Sequence, residues 1–304
     1  MPNLETVTLP AGLTSIPKDA FANSAKLKTV NFKAADASNG GVQRETTPGT
    51  LDFSGAKALT SIGTNAFTSI AATTVDLSGV IGLTTINDYV FKDMASLTEV
   101  KLPSSINQIN NGAFQNDAAL KKLSQDNPSA QARDESPAPA DTATFGSKLT
   151  SIQQNAFQGT GFTTVDLSKA VGTPASGSSG TQTTPLSVGS NAFTNMANLE
   201  TVKLPKDSNI NLAYFGNPAT EGTEQKLKTI TYGADATSTL ATITLSDATI
   251  SSTNFSKITN KEIQIKSSTN QTINFSGGVF NGNETMTTLK LSVTQNPANN
   301  NASL

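Results

Sequence analysis

The sequence predicts a β-rich solenoid, in which coils of about 23 residues stack as a right-handed superhelix of short parallel strands and one-turn helices. Three observations predict this fold. The dipeptide Ala-Phe recurs within a longer repeated phrase, neighbouring copies lie 22–25 residues apart where nothing is inserted between them, and most copies end in an alternating Val-x-Leu pattern. A repeat array also removes the usual inference that a chain of 304 residues forms two domains.

The repeated phrase is clearest in six copies, each with Ile or Val five residues before a Phe. We expect these six phenylalanines to fill the core: Phe21, Phe67, Phe91, Phe114, Phe157 and Phe193. Weaker copies surround Phe215, Phe255 and Phe280, and Phe145 alone falls outside every apolar column of the phrase. Scattered phenylalanines would not keep this register, so the repeat predicts one continuous core.

Each part of the phrase predicts one element of the coil. Leu-x-x-Ile, as in Leu59–Ile62, is a short extended stretch on one side of the core. Ala-Phe then allows one helical turn, in which the small Ala permits close approach and the Phe fills the space between coils. The closing Val-x-Leu, as in Val75–Leu77, has period 2, so its first and last side chains point inward from a parallel strand.

Residues 1–294 are therefore expected to form a single solenoid with polar insertions, followed by a disordered tail at 295–304. The insertions are rich in Pro, Gly, Ser and Thr and cannot bury enough apolar surface to fold alone. They lie near 33–50, 124–148, 172–185 and 216–226. Because the strands that flank 33–50 are 21 residues apart, this stretch can also be interpreted as a degenerate coil.

The composition excludes several kinds of chemistry. The chain has no Cys, His or Trp, which removes disulfides, thiol nucleophiles, imidazole metal ligands and the usual Ser–His relay. We therefore expect no enzyme, no metal and no cofactor. A net charge of −2 argues against a nucleic-acid partner. No apolar run is long enough to span a membrane, and Met1–Pro10 resembles the end of a repeat rather than a signal peptide.

The middle residue of each Val-x-Leu strand points outward, and together these residues form the outward row. We expect its members to be Asn31, Asp52, Asp76, Lys101, Ser124, Asp166, Lys203, Thr231, Gln264 and Lys290. The row is interpreted either as a docking face for a protein or glycan, because solenoid sheets make extended concave surfaces, or as a face kept polar for solubility. The candidate binding residues are Asn31, Asp52, Asp76, Lys101, Asp166 and Lys203. Calcium binding or glycoside hydrolysis by Asp52 and Asp76 is disfavoured, since an open sheet face offers neither a ligand loop nor a cleft.

The phrase L-T-S-I-x-x-x-A-F-x-x-x-x-x-L-x-x-V-x-L-P resembles the BspA-type leucine-rich repeats of bacterial surface proteins, across most of residues 4–291. The resemblance implies an α/β leucine-rich-repeat solenoid. Two departures stand out: the Cys that is frequent three residues after the Phe is absent, and so is the Asn ladder of other leucine-rich repeats. At the corresponding offset after the strand stand Ala35, Ser105 and Asp207, so side-chain hydroxyls are expected to bond the backbone there.

The resemblance also implies a function and a location. BspA-type proteins are typically exported and take part in attachment to host matrix proteins or other cells. We therefore expect a secreted or cell-surface binding module that docks a protein or glycan of the host or of a neighbouring cell. The alternative is a structural spacer or glycan-binding segment of a larger surface protein. The sequence leaves the oligomeric state open.

Overall fold

The computed structural model describes residues 1–33, 48–125, 141–170, 186–205 and 214–215. It also gives the backbone of strand segments at 173–174, 183–184, 229–232, 242–245, 262–268, 272–275 and 288–294. Phe255, Phe280, the insertion at 216–226 and the tail at 295–304 fall outside the described residues. So does most of the other three expected insertions.

The described residues form β-strands joined by turns. The strands are β1 (Thr6–Pro10), β2 (Ser15–Ile16), β3 (Thr29–Lys33), β4 (Thr50–Asp52), β5 (Ser61–Ile62), β6 (Thr74–Asp76), β7 (Thr85–Ile86), β8 (Glu99–Leu102), β9 (Gln108–Ile109), β10 (Lys122–Gln125), β11 (Thr142–Thr144), β12 (Ser151–Ile152), β13 (Thr164–Asp166), β14 (Thr173–Pro174), β15 (Thr183–Thr184), β16 (Ser187–Val188), β17 (Thr201–Leu204), β18 (Thr229–Tyr232), β19 (Thr242–Leu245), β20 (Glu262–Ser268), β21 (Thr272–Phe275) and β22 (Thr288–Thr294).

Twelve of these strands form one parallel sheet, called here the main sheet. Its order is β1-β3-β4-β6-β8-β10-β11-β13-β17-β18-β20-β22. The predicted Val-x-Leu strands lie in this sheet with their apolar residues in register, as in Val75 opposite Val100. Both valines are fully buried, whereas the residues between the apolar positions stay partly exposed. The sequence pattern therefore predicted the sheet and its inward face correctly.

The Leu-x-x-Ile stretches form the return strands β2, β5, β7, β9, β12 and β16 on another side of the stack. β2 pairs with β5, and β7, β9, β12 and β16 form a four-stranded parallel sheet. The second residue of each pairs with its equivalent in the next, as in Ile109 with Ile152. Both isoleucines are completely buried, so these strands close the core opposite the main sheet.

The Ala-Phe segments are turns, so the expectation of one-turn helices is wrong for the described copies. In each of the six segments, the residue two before the Phe and the residue two after it adopt a left-handed conformation. Asn65 and Ser69 do so around Phe67. Alternate N–H groups then donate to the next coil: Phe67 N bonds the Val90 carbonyl oxygen at 2.9 Å. A helix would direct these N–H groups along its own axis, and the left-handed residues prevent that.

The phenylalanines of these turns stack as one column through the interior, formed by Phe21, Phe67, Phe91, Phe114, Phe157, Phe193 and Phe215. Successive ring centroids are 5.0–5.8 Å apart and the ring planes differ by 3–17°. All are nearly or fully buried except Phe21, which is half-buried in the first described coil. Each buried ring contributes roughly 1.5–3 kcal/mol of apolar burial before conformational entropy is subtracted.

Among the described residues, two strands of the main sheet have no return strand of their own. β2 pairs directly with β5 and β9 with β12, yet β4 lies between β3 and β6, and β11 lies between β10 and β13. At both places the column rings still touch, at 5.3 Å for Phe21–Phe67 and 5.2 Å for Phe114–Phe157. At each place, the main sheet advances by two strand spacings of about 4.8 Å while the column of rings advances by only one ring spacing. The stack must widen toward the main sheet, which lies on its convex side rather than on the expected concave side.

Aromatic rings fill the first of these two widened places. Phe32 and Phe53 occupy the position that is Leu in most other coils, and their rings lie 5.5 Å apart. Phe53 also meets Phe67 of the column edge-on, at 5.7 Å and 81°. β3 pairs with β4 at Val30 and Leu51, so the strands that flank 33–50 are neighbours in the main sheet.

At the second place, the structure corrects the expected insertion at 124–148. Residues 142–144 form β11, an additional strand of the main sheet. Phe145, which the sequence placed outside the repeat, is fully buried and meets Phe157 edge-on at 5.5 Å. Gln125 fills the remaining space: its Nε2 donates to the Ile106 carbonyl oxygen at 2.7 Å, and its Oε1 accepts from Gly146 N at 2.9 Å. One buried amide thus bonds the backbones on both sides of β10.

The insertion at 172–185 contains the short antiparallel pair β14–β15, between β13 and the return strand β16. Further along the chain, β19 pairs in parallel with β21 outside the main sheet. The described strand segments therefore continue in parallel beyond the clear copies of the repeat.

Candidate functional site

The candidate site is the outward face of the main sheet. The register places Asp52 beside Asp76, Asp76 beside Lys101, and Asp166 beside Lys203. Because β11 lies between β10 and β13, Thr144 separates Ser124 from Asp166, which the sequence placed side by side.

The expected row also needs correction at its far end. Thr231 pairs with Lys266, whereas Gln264 pairs with Thr229 and is displaced from the row by two residues. Lys290 follows Gln264 in that displaced register. At the near end, Thr8 lies beside Asn31 and extends the row by one strand.

Three aspartates of the row close the turns that follow their strands. Asp76 Oδ1 accepts hydrogen bonds from Ser78 N at 3.1 Å and Ser78 Oγ at 2.6 Å. Asp166 makes the same two contacts with Ser168, at 3.0 and 2.5 Å. Asp52 Oδ1 accepts from Ser54 N at 2.8 Å. The motif Asp-x-Ser is therefore an Asx turn, and these carboxylates serve the fold as well as the surface.

Cross-strand ion pairs neutralise much of the charge on this face. Lys101 Nζ lies 3.4 Å from Asp76 Oδ2, and Lys203 Nζ lies 3.0 Å from Asp166 Oδ2. Partial burial raises the pKa of Asp76, but the Ser78 hydrogen bonds and the Lys101 charge outweigh burial, and the pKa lies below its ordinary value. Asp76 is therefore a carboxylate at neutral pH and no candidate for a general acid.

A second outward row runs beside the first and is dominated by threonine. Its described members are Thr6, Thr29, Thr50, Thr74, Glu99, Lys122, Thr142, Thr164, Thr201 and Thr229. Glu99 and Lys122 pair at 3.0 Å. This row was not among the residues expected from the sequence, although Thr directly before Val-x-Leu is its visible signal. Thr29 and Thr142 are buried, and the other side chains that the structure describes in this row present hydroxyls and one charge pair on the face.

The two neighbouring aspartates at one end of the row are the candidates for metal binding or acid chemistry. Asp52 and Asp76 are neighbours in the sheet but are held by separate Asx turns on an open face. Within the described residues, no group of three or more acidic side chains is arranged to hold a metal ion.

Hydroxyl groups bond the backbone at the corners of the coils, as the missing Asn ladder led us to expect. Ser105 Oγ donates to the Leu83 carbonyl oxygen at 2.5 Å, which confirms the prediction at that offset; Ala35 and Asp207 lie outside the described residues. Threonines do the same elsewhere: Thr98 Oγ1 donates to Thr73 O at 3.0 Å, and Thr150 Oγ1 to Asn107 O at 3.0 Å.

The position three residues after each Phe lies inside the stack, on the side of the Ala-Phe turns. It is occupied by Ser24, Ile70, Met94, Asp117, Thr160 and Met196, all of them buried. Asp117 is the ionisable member of this set. Its Oδ1 accepts a hydrogen bond from Met94 N at 2.7 Å, while burial raises the pKa of the carboxyl well above its ordinary value. At the position where BspA-type repeats often have Cys, this chain therefore has a buried column of mixed polar and apolar side chains.

Sequence comparison identifies one matching family. The family described as "BspA type Leucine rich repeat region" matches six copies in this chain, over residues 1–39, 50–136 and 137–178. No curated protein matches the chain. No helix in the described residues is long and apolar enough to cross a membrane.

Three solved structures are similar at low sequence identity. The pneumococcal vaccine antigen PcpA is 14% identical with a TM-score of 0.40, and the match covers 95% of this chain and 68% of PcpA. A leucine-rich repeat protein from Bacteroides ovatus is 16% identical with a TM-score of 0.36, covering 92% and 77%. A leucine rich cell surface protein from Faecalibacterium prausnitzii is 16% identical with a TM-score of 0.23, covering 95% and 79%.

Proposed function

The chain belongs to the BspA-type leucine-rich repeat family, and on that premise we propose that it is a non-enzymatic binding module of a bacterial cell surface. It docks a macromolecule of the host or of a neighbouring cell through the outward face of the main sheet. The candidate residues are those of the outward row, including Asn31, Asp52 and Asp76 at one end and Asp166 and Lys203 at the other.

One observation carries this proposal: the main sheet stays continuous at two places where neighbouring described return strands pair directly. Among the described residues β4 and β11 have no return strand, yet both keep their place between neighbouring main-sheet strands. At these two places the outward face gains a strand and the described return strands gain none. A continuous face with fixed strand spacing suits an extended macromolecular contact.

A binding experiment with charge variants tests the face. Retention of the full chain is measured on immobilised matrix proteins and on a glycan panel, and then repeated with Asp52→Asn/Asp76→Asn. Asparagine keeps the Asx-turn acceptor and removes the charge, whereas reversal to Lys would also disrupt the two turns. We expect the double variant to bind about tenfold more weakly, with almost unchanged melting.

The matched control is Asp19→Asn/Asp93→Asn, which removes the same charge from the Ala-Phe turns. The equivalent positions of other coils already hold asparagine, at Asn65 and Asn116. This control should bind like the wild type. Equal weakening of both double variants would contradict the proposed face. Absence of retention on every protein and glycan would support the alternative, a structural spacer in a larger surface protein.

A second candidate surface is the edge of the main sheet where strands end. Three of the expected insertions begin at or within a few residues of the carboxyl ends of β3, β10 and β13, and these parallel strands end on the same edge. Replacing residues 127–139 with a Gly/Ser segment of equal length tests this surface. Loss of binding in that variant, with wild-type binding by Asp52→Asn/Asp76→Asn, would move the site to this edge.

A further inference from the structure

Asp117 is a buried acid at the junction of two coils. Its side chain is inaccessible to solvent, and its Oδ1 is held by Met94 N of the preceding coil at 2.7 Å. Its Oδ2 is also buried and has no hydrogen-bond partner within the described part of the chain. The same position holds uncharged side chains in the other described coils, Thr160 among them. The carboxyl therefore occupies a site built for a neutral group.

The charged groups that face Asp117 do not compensate a buried negative charge. In the preceding coil, Asp93 opposes ionisation and Lys92 favours it, but Lys92 is itself paired with Asp93. In the next coil, the equivalent position is the buried Thr160, whose Oγ1 donates to the Phe157 carbonyl oxygen at 2.9 Å. Burial, the larger effect, raises the pKa of Asp117 despite the Met94 hydrogen bond.

We propose that Asp117 makes the junction between the coils of Phe91 and Phe114 a pH-responsive opening point in the stack. The junction is closed while the carboxyl is uncharged and opens more readily when the carboxyl can ionise in water. This device is independent of the partner that the main sheet binds.

The direction of the pH effect follows from the proton balance. In the open state Asp117 is hydrated and loses its proton around its ordinary pKa of 3.8, whereas the closed state keeps the proton to higher pH. Between the ordinary pKa and the raised pKa, each rise of one pH unit increases the opening constant by up to tenfold, because opening releases one proton. Below the ordinary pKa the junction is most stable. Above the raised pKa the opening constant no longer changes with pH.

Hydrogen exchange measured by mass spectrometry on the full chain tests the proposal. Opening constants are taken from peptides covering 92–98 and 112–120, after correction for the intrinsic pH dependence of exchange. The wild type should open more with rising pH, by up to about tenfold per unit over part of the range. Asp117→Asn, which keeps an oxygen acceptor for Met94 N, should show a flat profile and less opening at neutral pH.

Asp117→Thr is the second variant, since Thr160 shows that this position accepts threonine, and it should also give a flat profile. Asp93→Asn is the matched control and should retain the wild-type pH dependence. The proposal is overturned if the wild type shows no pH dependence at this junction. It is also overturned if both Asp117 variants keep that dependence, or if Asp93→Asn removes it.

Discussion

Side chains that tolerate a left-handed backbone determine the shape of the Ala-Phe turns. The residue two before the Phe is Asp, Asn or Gly in five of the six described copies, and Tyr89, with φ of 55°, is the sixth. A bulky residue in this conformation costs roughly 1–2 kcal/mol. Tyr89 is retained by its contacts, because its hydroxyl accepts from Asn111 Nδ2 at 2.9 Å and its ring covers Gly112.

The contact between Tyr89 and Gly112 can be measured with two alanine variants. Both Gly112 and Gly159 have positive φ, at 58° and 77°, so alanine is strained at either position. A Cβ at Gly112 would lie 2.4 Å from the Tyr89 ring, whereas at Gly159 the nearest atom is 3.5 Å away. We expect Gly112→Ala to lower the free energy of unfolding by about 1–3 kcal/mol more than Gly159→Ala, measured by chemical denaturation.

Adding Tyr89→Asn to Gly112→Ala should recover most of this difference, since asparagine tolerates the left-handed region and removes the ring. Equal losses in Gly112→Ala and Gly159→Ala would show that the ring contact has no energetic weight.

The residue-scale features were only partly predictable from the sequence. The inward Val and Leu and the column of Phe follow from period and spacing alone. The turn geometry was also visible, because Asn65, Asn155 and Asn191 directly precede Ala-Phe, and asparagine is enriched at positive φ. The Ala-Phe segment allows a helical turn, but its N–H groups donate to the next coil instead.

The Asx turns predict a difference between two substitutions at Asp166. Asp166→Ala removes the acceptor for Ser168 N and Oγ and should cost about 1 kcal/mol of unfolding free energy. Asp166→Asn keeps the acceptor and should cost less, despite losing the partly exposed ion pair with Lys203. Thermal melting of both variants distinguishes the turn from the charge: equal losses would assign the effect to the ion pair.

At the scale of elements, the two main-sheet strands without described return strands show what the sequence could not predict. β11 has the sequence Thr-Ala-Thr, whose single small inward residue Ala143 lacks the apolar pattern of the other strands. Its place in the sheet depends on pairing with β10 and β13, which no local pattern records. The ion pairs of the face depend on the same neighbours, so the sequence could predict the row but not all of its contacts.

Gln125 should be essential to the widened place around β10. Gln125→Leu preserves volume but leaves the Ile106 carbonyl oxygen and Gly146 N–H buried without this partner. We expect a loss of about 1–3 kcal/mol in unfolding free energy. Gln108→Leu, on a return strand and only half-buried, is the control and should change stability little. Similar stability of the two variants would contradict the bridging role of Gln125.

At the scale of the whole molecule, neighbouring coils depend on each other through one column of rings. Phe91 stacks between Phe67 and Phe114, at 5.8 and 5.4 Å. Phe91→Ala should cost about 3–5 kcal/mol and split thermal unfolding into two transitions, because stability in a stacked array is set by neighbouring interfaces. Calorimetry measures both effects.

Ser96→Ala, an exposed change five residues away, is the control for Phe91→Ala and should melt as the wild type does. A single, unshifted transition in Phe91→Ala would contradict the dependence between coils.

The outward bend of the main sheet limits the shapes that can be bound on it. Lines drawn outward from the two ends of a convex face diverge, so two compact ligands at opposite ends do not collide. A globular partner touches such a face at one place, whereas a flexible chain can follow it from β1 to β17 and add many weak contacts. The affinity of polymeric partners should therefore rise steeply with their length. More than one compact partner should be able to bind to each chain.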